Sequence, residues 1–157
     1  MEILGNPSWL WGLSLIVLTM TIHAAAVLIV ALGTTRIRVQ WETRSLHEWN
    51  LIASHICATG LIGLLLAVLH FIECGIWAAV YLWVGALDSP TDALFYSIES
   101  MATLGASGLT LQRHWQMMGA LEAFDGILLF GVSTAYIFAV MQAYWSMLAA
   151  HITPSKS

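Results

Sequence analysis

The sequence predicts an all-α integral membrane protein with three membrane-spanning helices and a short re-entrant helix that breaks into a glycine-bearing loop. Three observations carry that expectation. Of the 157 residues, 59% are hydrophobic and only 9% charged, whereas a soluble domain carries about 25% charged residues. Mean hydropathy is +0.81, and the apolar residues fall into three stretches that each exceed the ~20 residues needed to cross a bilayer. Between the second and third lies an amphipathic run over 91–102, too short to cross, followed by Thr103-Leu104-Gly105-Ala106-Ser107-Gly108. Irregular backbone at membrane depth is tolerated only where protein buries it or where it lines a water-filled path. Function is therefore sought first in this loop.

The whole chain, 1–157, is expected to form a single membrane domain. The first span covers 9–32, with Trp9 and Trp11 at its outer end, where aromatic side chains anchor at the membrane interface. It lacks a basic leading region and a small-residue cleavage site, so it reads as a retained span. The segment 33–50 sets Arg36, Arg38 and Arg44 against Glu42 and Glu48. That excess assigns it to the cytoplasm as a loop and the N-terminus to the outside.

The outer helix is expected over 51–87. Continuous helix of that length would reach roughly 55 Å, beyond the ~30 Å hydrocarbon core. One tilted helix projecting from the bilayer is the expected solution, with Trp77, Tyr81 and Trp83 at the outer interface. Segment 88–116 then holds the short helix, the loop and an outer turn. Asp88-Ser89-Pro90 stops the outer helix; Ser89 is the natural N-cap, Pro90 suits the first helical position, and Asp92 falls in the first turn. The short helix aims its C-terminus, with its partial negative charge, at the loop, an arrangement that favours a cation. The last helix is expected over 117–150, followed by a cytoplasmic tail, 151–157, that carries Lys156.

Composition also excludes function classes. The cationic side chains are Arg36, Arg38, Arg44, Arg113 and Lys156, which make no nucleic-acid surface. Cys57 and Cys74 share one helix about 25 Å apart, too far for a disulfide, and read as small hydrophobes. No Ser/His/Asp set, phosphate-binding loop or catalytic carboxylate pair occurs where a substrate would reach, so neither an enzyme nor an organic substrate or cofactor is expected. His23, His55 and His70 lie in apolar helices without an i,i+4 metal pair, and hydrogen bonding inside the bundle is the expected role. A haem-binding membrane anchor is the alternative they leave open. Met117, Met118, Met141 and Met147 read as packing.

From 69 to 142 the sequence resembles the tetrameric potassium-channel pore superfamily, in particular small bacterial two-helix pore proteins. The resemblance rests on His70-Phe71-Ile72-Glu73 with Trp77 and Tyr81, on Ala93-Leu94-Phe95-Tyr96-Ser97-Ile98-Glu99-Ser100, and on Thr103-Leu104-Gly105. Gly119-Ala120-Leu121-Glu122-Ala123 and Gly131-Val132-Ser133-Thr134-Ala135 extend it. The first span is extra to the two-helix plan. The resemblance implies a pore helix, a selectivity-filter loop over 103–108, a homotetramer in the cell (inner) membrane, and passive conduction of a monovalent cation such as potassium or sodium. It places that cation at Thr103, Leu104 and Gly105, where carbonyls replace the hydration shell.

The filter departs from the T-L-G-Y-G-D pattern of such relatives: Ala106 stands for Tyr, Ser107 for the second Gly and Gly108 for Asp. A Ser in the left-handed conformation of that Gly costs of order 1–3 kcal/mol, and loss of the Tyr removes packing that would hold the loop at fixed width. Weak or altered potassium selectivity is therefore expected, with a non-conducting regulatory or scaffold subunit of the same fold as the alternative. Glu99, Glu122 and Asp125 are expected to support the filter by bracing it through the pore helix or Arg113, with direct contact to the ion as the alternative, since intramembrane carboxylates are costly and default to functional roles. Gly126 and Gly131 serve either as a hinge or as close-packing points. Ser133 and Thr134 are candidate polar positions lining the cavity below. An outer excess of Glu73, Asp88, Asp92, Glu99, Glu122 and Asp125 over Arg113 is expected to draw cations to the mouth.

Overall fold

Four helices follow one another in the computed structural model, which describes residues 7–42, 48–105 and 108–152. They are α1 (Pro7–Glu42), α2 (Glu48–Trp83), α3 (Pro90–Met101) and α4 (Gln116–Ile152). No strand occurs among the described residues. Three segments are long and apolar enough to cross a membrane: Ser8–Arg36, Ile52–Trp83 and Gln116–Ser146.

Two boundaries differ from expectation, each for a local reason. The first helix does not end near residue 32 but continues to Glu42, so most of the expected loop 33–50 is helical. A single Gly33 costs a helix only ~1 kcal/mol. The hydroxyls of Thr34 and Thr35 meanwhile donate back to the Ala31 carbonyl at 3.0 and 2.8 Å, within the helix. Residues 43–47, with Arg44, and 153–157, with Lys156, lie outside the described residues.

The outer helix ends at Trp83 rather than 87. The Ala86 N–H donates to the Tyr81 carbonyl at 2.8 Å and the Gly85 N–H to Leu82 at 3.1 Å, with Gly85 at φ +67°. This pair of bonds closes a helix around a left-handed residue, the position where glycine carries no Cβ penalty. The next helix begins as its sequence dictates. Ser89 is extended (φ −103°, ψ 126°), its hydroxyl accepts from the Asp92 N–H, and Pro90 occupies the first turn.

The short α3 is clasped between α2 and α4, while α1 lies chiefly along α4. Small residues set these approaches, as in membrane bundles generally. A Cβ at Gly12 would meet Leu121, one at Gly119 the Tyr96 hydroxyl, and one at Gly126 the Met101 carbonyl oxygen. Trp77 and Tyr81 are fully buried at the centre of the bundle rather than at an interface; of the three expected anchors only Trp83 is exposed (73%). Its ring meets Trp11 edge-on, with centroids 5.1 Å apart. Leu10, Val17, Ile29, Leu64, Phe124 and Phe138 are exposed along α1, α2 and α4, as lipid-facing or subunit-facing surfaces must be. Cys57 is exposed and Cys74 buried, both as free thiols.

The two candidate hinge glycines separate here. Gly126 is where α4 passes close to the end of α3, whereas nothing lies within 4 Å of a Cβ at Gly131. Gly126→Ala is expected to destabilise the protein by about 1–3 kcal/mol through overpacking. Gly131→Ala should be neutral or stabilising by up to about 1 kcal/mol. Thermal unfolding of the two variants in the same detergent checks the opposite signs; equal shifts would contradict this packing.

Candidate pore loop and its carboxylate frame

The end of α3 carries the one positive-φ non-glycine among the described residues. The Leu104 N–H donates to the Glu99 carbonyl at 2.8 Å and the Thr103 N–H to Ser100 at 2.9 Å. This is the motif that Gly85 closes after α2, but here the left-handed position is filled by Thr103, at φ +56°. A β-branched residue with positive φ is a true outlier, and the left-handed conformation costs an L-residue roughly 1–2 kcal/mol. The capping motif explains the positive φ but not the choice of threonine. Gly105 follows at φ +57° and Gly108 at φ +70°, while Leu104 between the first two keeps a negative φ. Alternating hands along a backbone rotate successive peptide planes, the prerequisite for presenting several carbonyls to one side.

Thr103, Leu104, Gly105 and Gly108 are exposed on the single chain, Leu104 by 67%. Ala106 and Ser107, two of the three positions where the loop departs from its relatives, lie outside the described residues. The loop follows directly on the C-terminus of α3, whose aligned peptide dipoles give that end a partial negative charge.

Behind α3 stands a frame of buried carboxylates. Glu122 on α4 accepts from the Tyr81 hydroxyl of α2 at 2.7 Å. Its other oxygen meets the Ser97 hydroxyl of α3, which also contacts the Cys74 carbonyl at 2.9 Å. Glu122 thus ties α3 to both neighbours. Asp125, one turn along α4, faces the other way: its Oδ2 accepts from Trp77 Nε1 at 3.0 Å and from the Thr19 hydroxyl of α1 at 2.6 Å. Asp125 therefore joins α4 to α1 and α2. Arg113 is exposed and partners neither carboxylate. Glu99 is buried on α3 at 7% exposure.

A third carboxylate, Glu73, belongs to a cluster that sequence reasoning missed. Its Oε1 lies 2.9 Å from His23 Nδ1 of α1, and its Oε2 lies 3.2 Å from His70 Nδ1 one turn earlier on α2. The Ser133 hydroxyl of α4 sits 3.0 Å from His23 Nε2 and 3.1 Å from His70 Nε2. The i,i+3 spacing of His70 and Glu73 was the available signal; the long-range partners His23 and Ser133 had none. Ser133 is thereby turned into the bundle and away from any cavity beside α4, whereas Thr134 is exposed. The His23 and His70 rings, 5.1 Å apart, share that hydroxyl and do not face each other across a macrocycle-sized gap. His55 instead stacks near Tyr144, centroids 4.3 Å apart.

The outer carboxylates of the expected set divide by burial. Glu73, Glu99, Glu122 and Asp125 are all buried, leaving Asp88 and Asp92 as the exposed outer carboxylates of the expected set.

Two substitutions probe the frame and the strain. Tyr81→Phe removes a donor from a buried carboxylate and should cost about 1.5–3 kcal/mol. Thr103→Gly should gain on the order of 1 kcal/mol by relieving the left-handed strain. Unfolding midpoints in lipid nanodiscs measure both, and a destabilised Thr103→Gly would show that the strain is absent.

With this geometry in hand, comparison with known proteins is informative. Residues 68–143 match a family model described as ion channel, the two-transmembrane, potassium-channel-like family. No curated protein and no solved structure matches the chain. The matched segment runs from within α2, through α3 and the loop, to within α4, and leaves α1 outside. Over 68–143, just under half of its length, the chain is thus similar to the two-transmembrane, potassium-channel-like family of ion channels.

Proposed function

We propose that the protein conducts monovalent cations passively through a pore lined by residues 103–108 of four identical chains, with weak potassium selectivity. The observation that carries this reading is the sign alternation at Thr103, Leu104 and Gly105. Backbone strain held at one short loop, against the residue's own preference, is what functional sites store. Thr103 offers both a hydroxyl and a carbonyl to an ion, and the exposure of its neighbours on the isolated chain supports a position facing other copies around an axis. A ring of such loops supplies the stacked oxygens that replace ion hydration. One chain furnishes only a quarter of that ring, which supports a cyclic homotetramer.

Selectivity rests on what surrounds the carbonyls. Ala106 fills the place of a packing Tyr, and Ser107 that of a Gly, so the outer half of the filter has less to hold its width. A loop of adjustable width discriminates poorly between potassium and sodium. The same departures favour a second reading, a subunit that keeps the fold but does not conduct. In either case the N-terminus is expected outside and the C-terminus in the cytoplasm.

Flux from liposomes under parallel potassium, sodium and chloride gradients tests the proposal. Cation flux without chloride flux is the expected result, with a potassium-to-sodium ratio near unity. The triple change Ala106→Tyr, Ser107→Gly, Gly108→Asp should raise that ratio severalfold. Silence in all three gradients from protein shown to be tetrameric would establish the non-conducting reading instead.

A further inference from the structure

The geometry points to a divalent transition-metal site, of the zinc type, formed by His23, His70 and Glu73 at the junction of the first span with the outer helix. Each residue offers one ligand atom, and these atoms all lie within 4.8 Å of one another. Glu73 and His23 are completely buried, and the His70 side chain is 12% exposed. The inference does not depend on conduction, since its ligands come from α1 and α2 and its test reads metal binding alone.

An inventory of protons shows why a cation belongs there. The cluster makes four close contacts: Glu73 with each Nδ1, and Ser133 with each Nε2. Two neutral imidazoles and one hydroxyl bring three protons to those four contacts. If both Nε2–H groups donate to Ser133 Oγ, whose two lone pairs can accept both, each Nδ1 is left as a bare lone pair aimed at a carboxylate. If the hydroxyl donates to one ring instead, one ring nitrogen, Nδ1 or Nε2 according to the tautomers, still faces an oxygen without a proton. His70 Nδ1 and Glu73 Oε2 stand 3.2 Å apart, yet neither makes a hydrogen bond. Two buried lone-pair atoms facing each other without a proton between them repel. A positive charge shared by them resolves the conflict.

The donor set selects the ion. Two imidazole nitrogens and one carboxylate oxygen suit zinc and its neighbours, whereas calcium and magnesium prefer all-oxygen sites. A tetrahedral ion with bonds of about 2.1 Å separates its ligand atoms by roughly 3.4 Å; the two imidazole contacts, 2.9 and 3.2 Å to different Glu73 oxygens, are near that spacing, and the ligand atoms all lie within 4.8 Å of one another. Ser133 then plays the outer-shell part usual for metal-bound histidines, accepting the second ring N–H of both and holding their orientation. Charge agrees as well. Asp125 lies one helical turn from the cluster along both partner helices, through Thr19 and Trp77. With Glu73 it makes two carboxylates, which one divalent ion balances inside a medium where net charge is costly. Such an ion would staple α1 to α2, attaching the extra span to the pore.

The test uses tag-free, full-length protein in lipid nanodiscs, stripped with a chelator and titrated with zinc or cobalt(II). Expected are one ion per chain by elemental analysis, a raised unfolding temperature, and the visible d–d absorption of four-coordinate cobalt. Ser133→Ala should weaken binding by about 10–100-fold, the usual cost of an outer-shell partner; His70→Gln and Glu73→Gln should weaken it further. Replacing His114 and His151 by Ala should leave binding intact. Absence of cobalt bands and of stoichiometric zinc in the unmodified protein would overturn the proposal in favour of a single shared proton. So would binding that survives His70→Gln and Glu73→Gln. The spectrum of the unmodified chain decides the matter even if those variants fail to fold.

Discussion

Carboxylates buried in a lipid environment must find their partners inside the protein, and this constraint organises the bundle. Hydrocarbon supplies no hydrogen bonds, so an unpaired polar group there costs several kcal/mol. Glu73, Glu122 and Asp125 are all completely buried. Their hydrogen-bond partners are correspondingly spread over three helices: Thr19 and His23 on α1, Trp77 and Tyr81 on α2, and Ser97 on α3. Apolar packing alone has little power to specify neighbours in a membrane, because lipid tails are as apolar as leucine. The polar contacts do the specifying, and the small residues Gly12, Gly119 and Gly126 let the backbones come close enough to make them.

The frame has a direction. Glu122 reaches α3 through Ser97, and Tyr81 holds the same carboxylate from α2. Any movement of α4 against α2 therefore acts on α3 and on the loop that follows it. Asp125 and Glu73, by contrast, look towards α1. The first span, which lies outside the matched segment, is thus bound to α2 and α4 through polar contacts at two levels. An added helix held only by apolar contact would have exchanged easily with lipid; one held through buried carboxylates cannot leave without exposing them.

Much of this architecture was legible in the sequence, and the limits were physical. Three apolar stretches marked the spans, and Ser89-Pro90 with Asp92 marked the start of α3, because capping is a local effect of short range. Gly85 was an equally local signal for the end of α2, obscured by the apolar residues on either side of it. Trp77 and Tyr81 look like interface anchors from their position near a helix end, and only the carboxylates they meet across the bundle show why they are buried. Pairings such as Thr19 with Asp125, or His23 with Ser133, join residues more than a hundred positions apart, and no local pattern announces them. In the loop, Thr103-Leu104-Gly105 was recognisable as a filter-like motif, but the left-handed conformation of the threonine itself is a property of the folded chain.

The central claim is that the strained loop after α3 lines an ion path on an axis shared by several copies. The most direct measurement is a cryo-electron microscopy map of the protein in lipid nanodiscs containing potassium, refined without imposed symmetry. The account predicts four chains around one axis, with the backbone of residues 103–105 turned towards it and cation density among the carbonyls. A map in which that loop faces lipid, or in which the chains meet through other surfaces and leave no axial path, would contradict it.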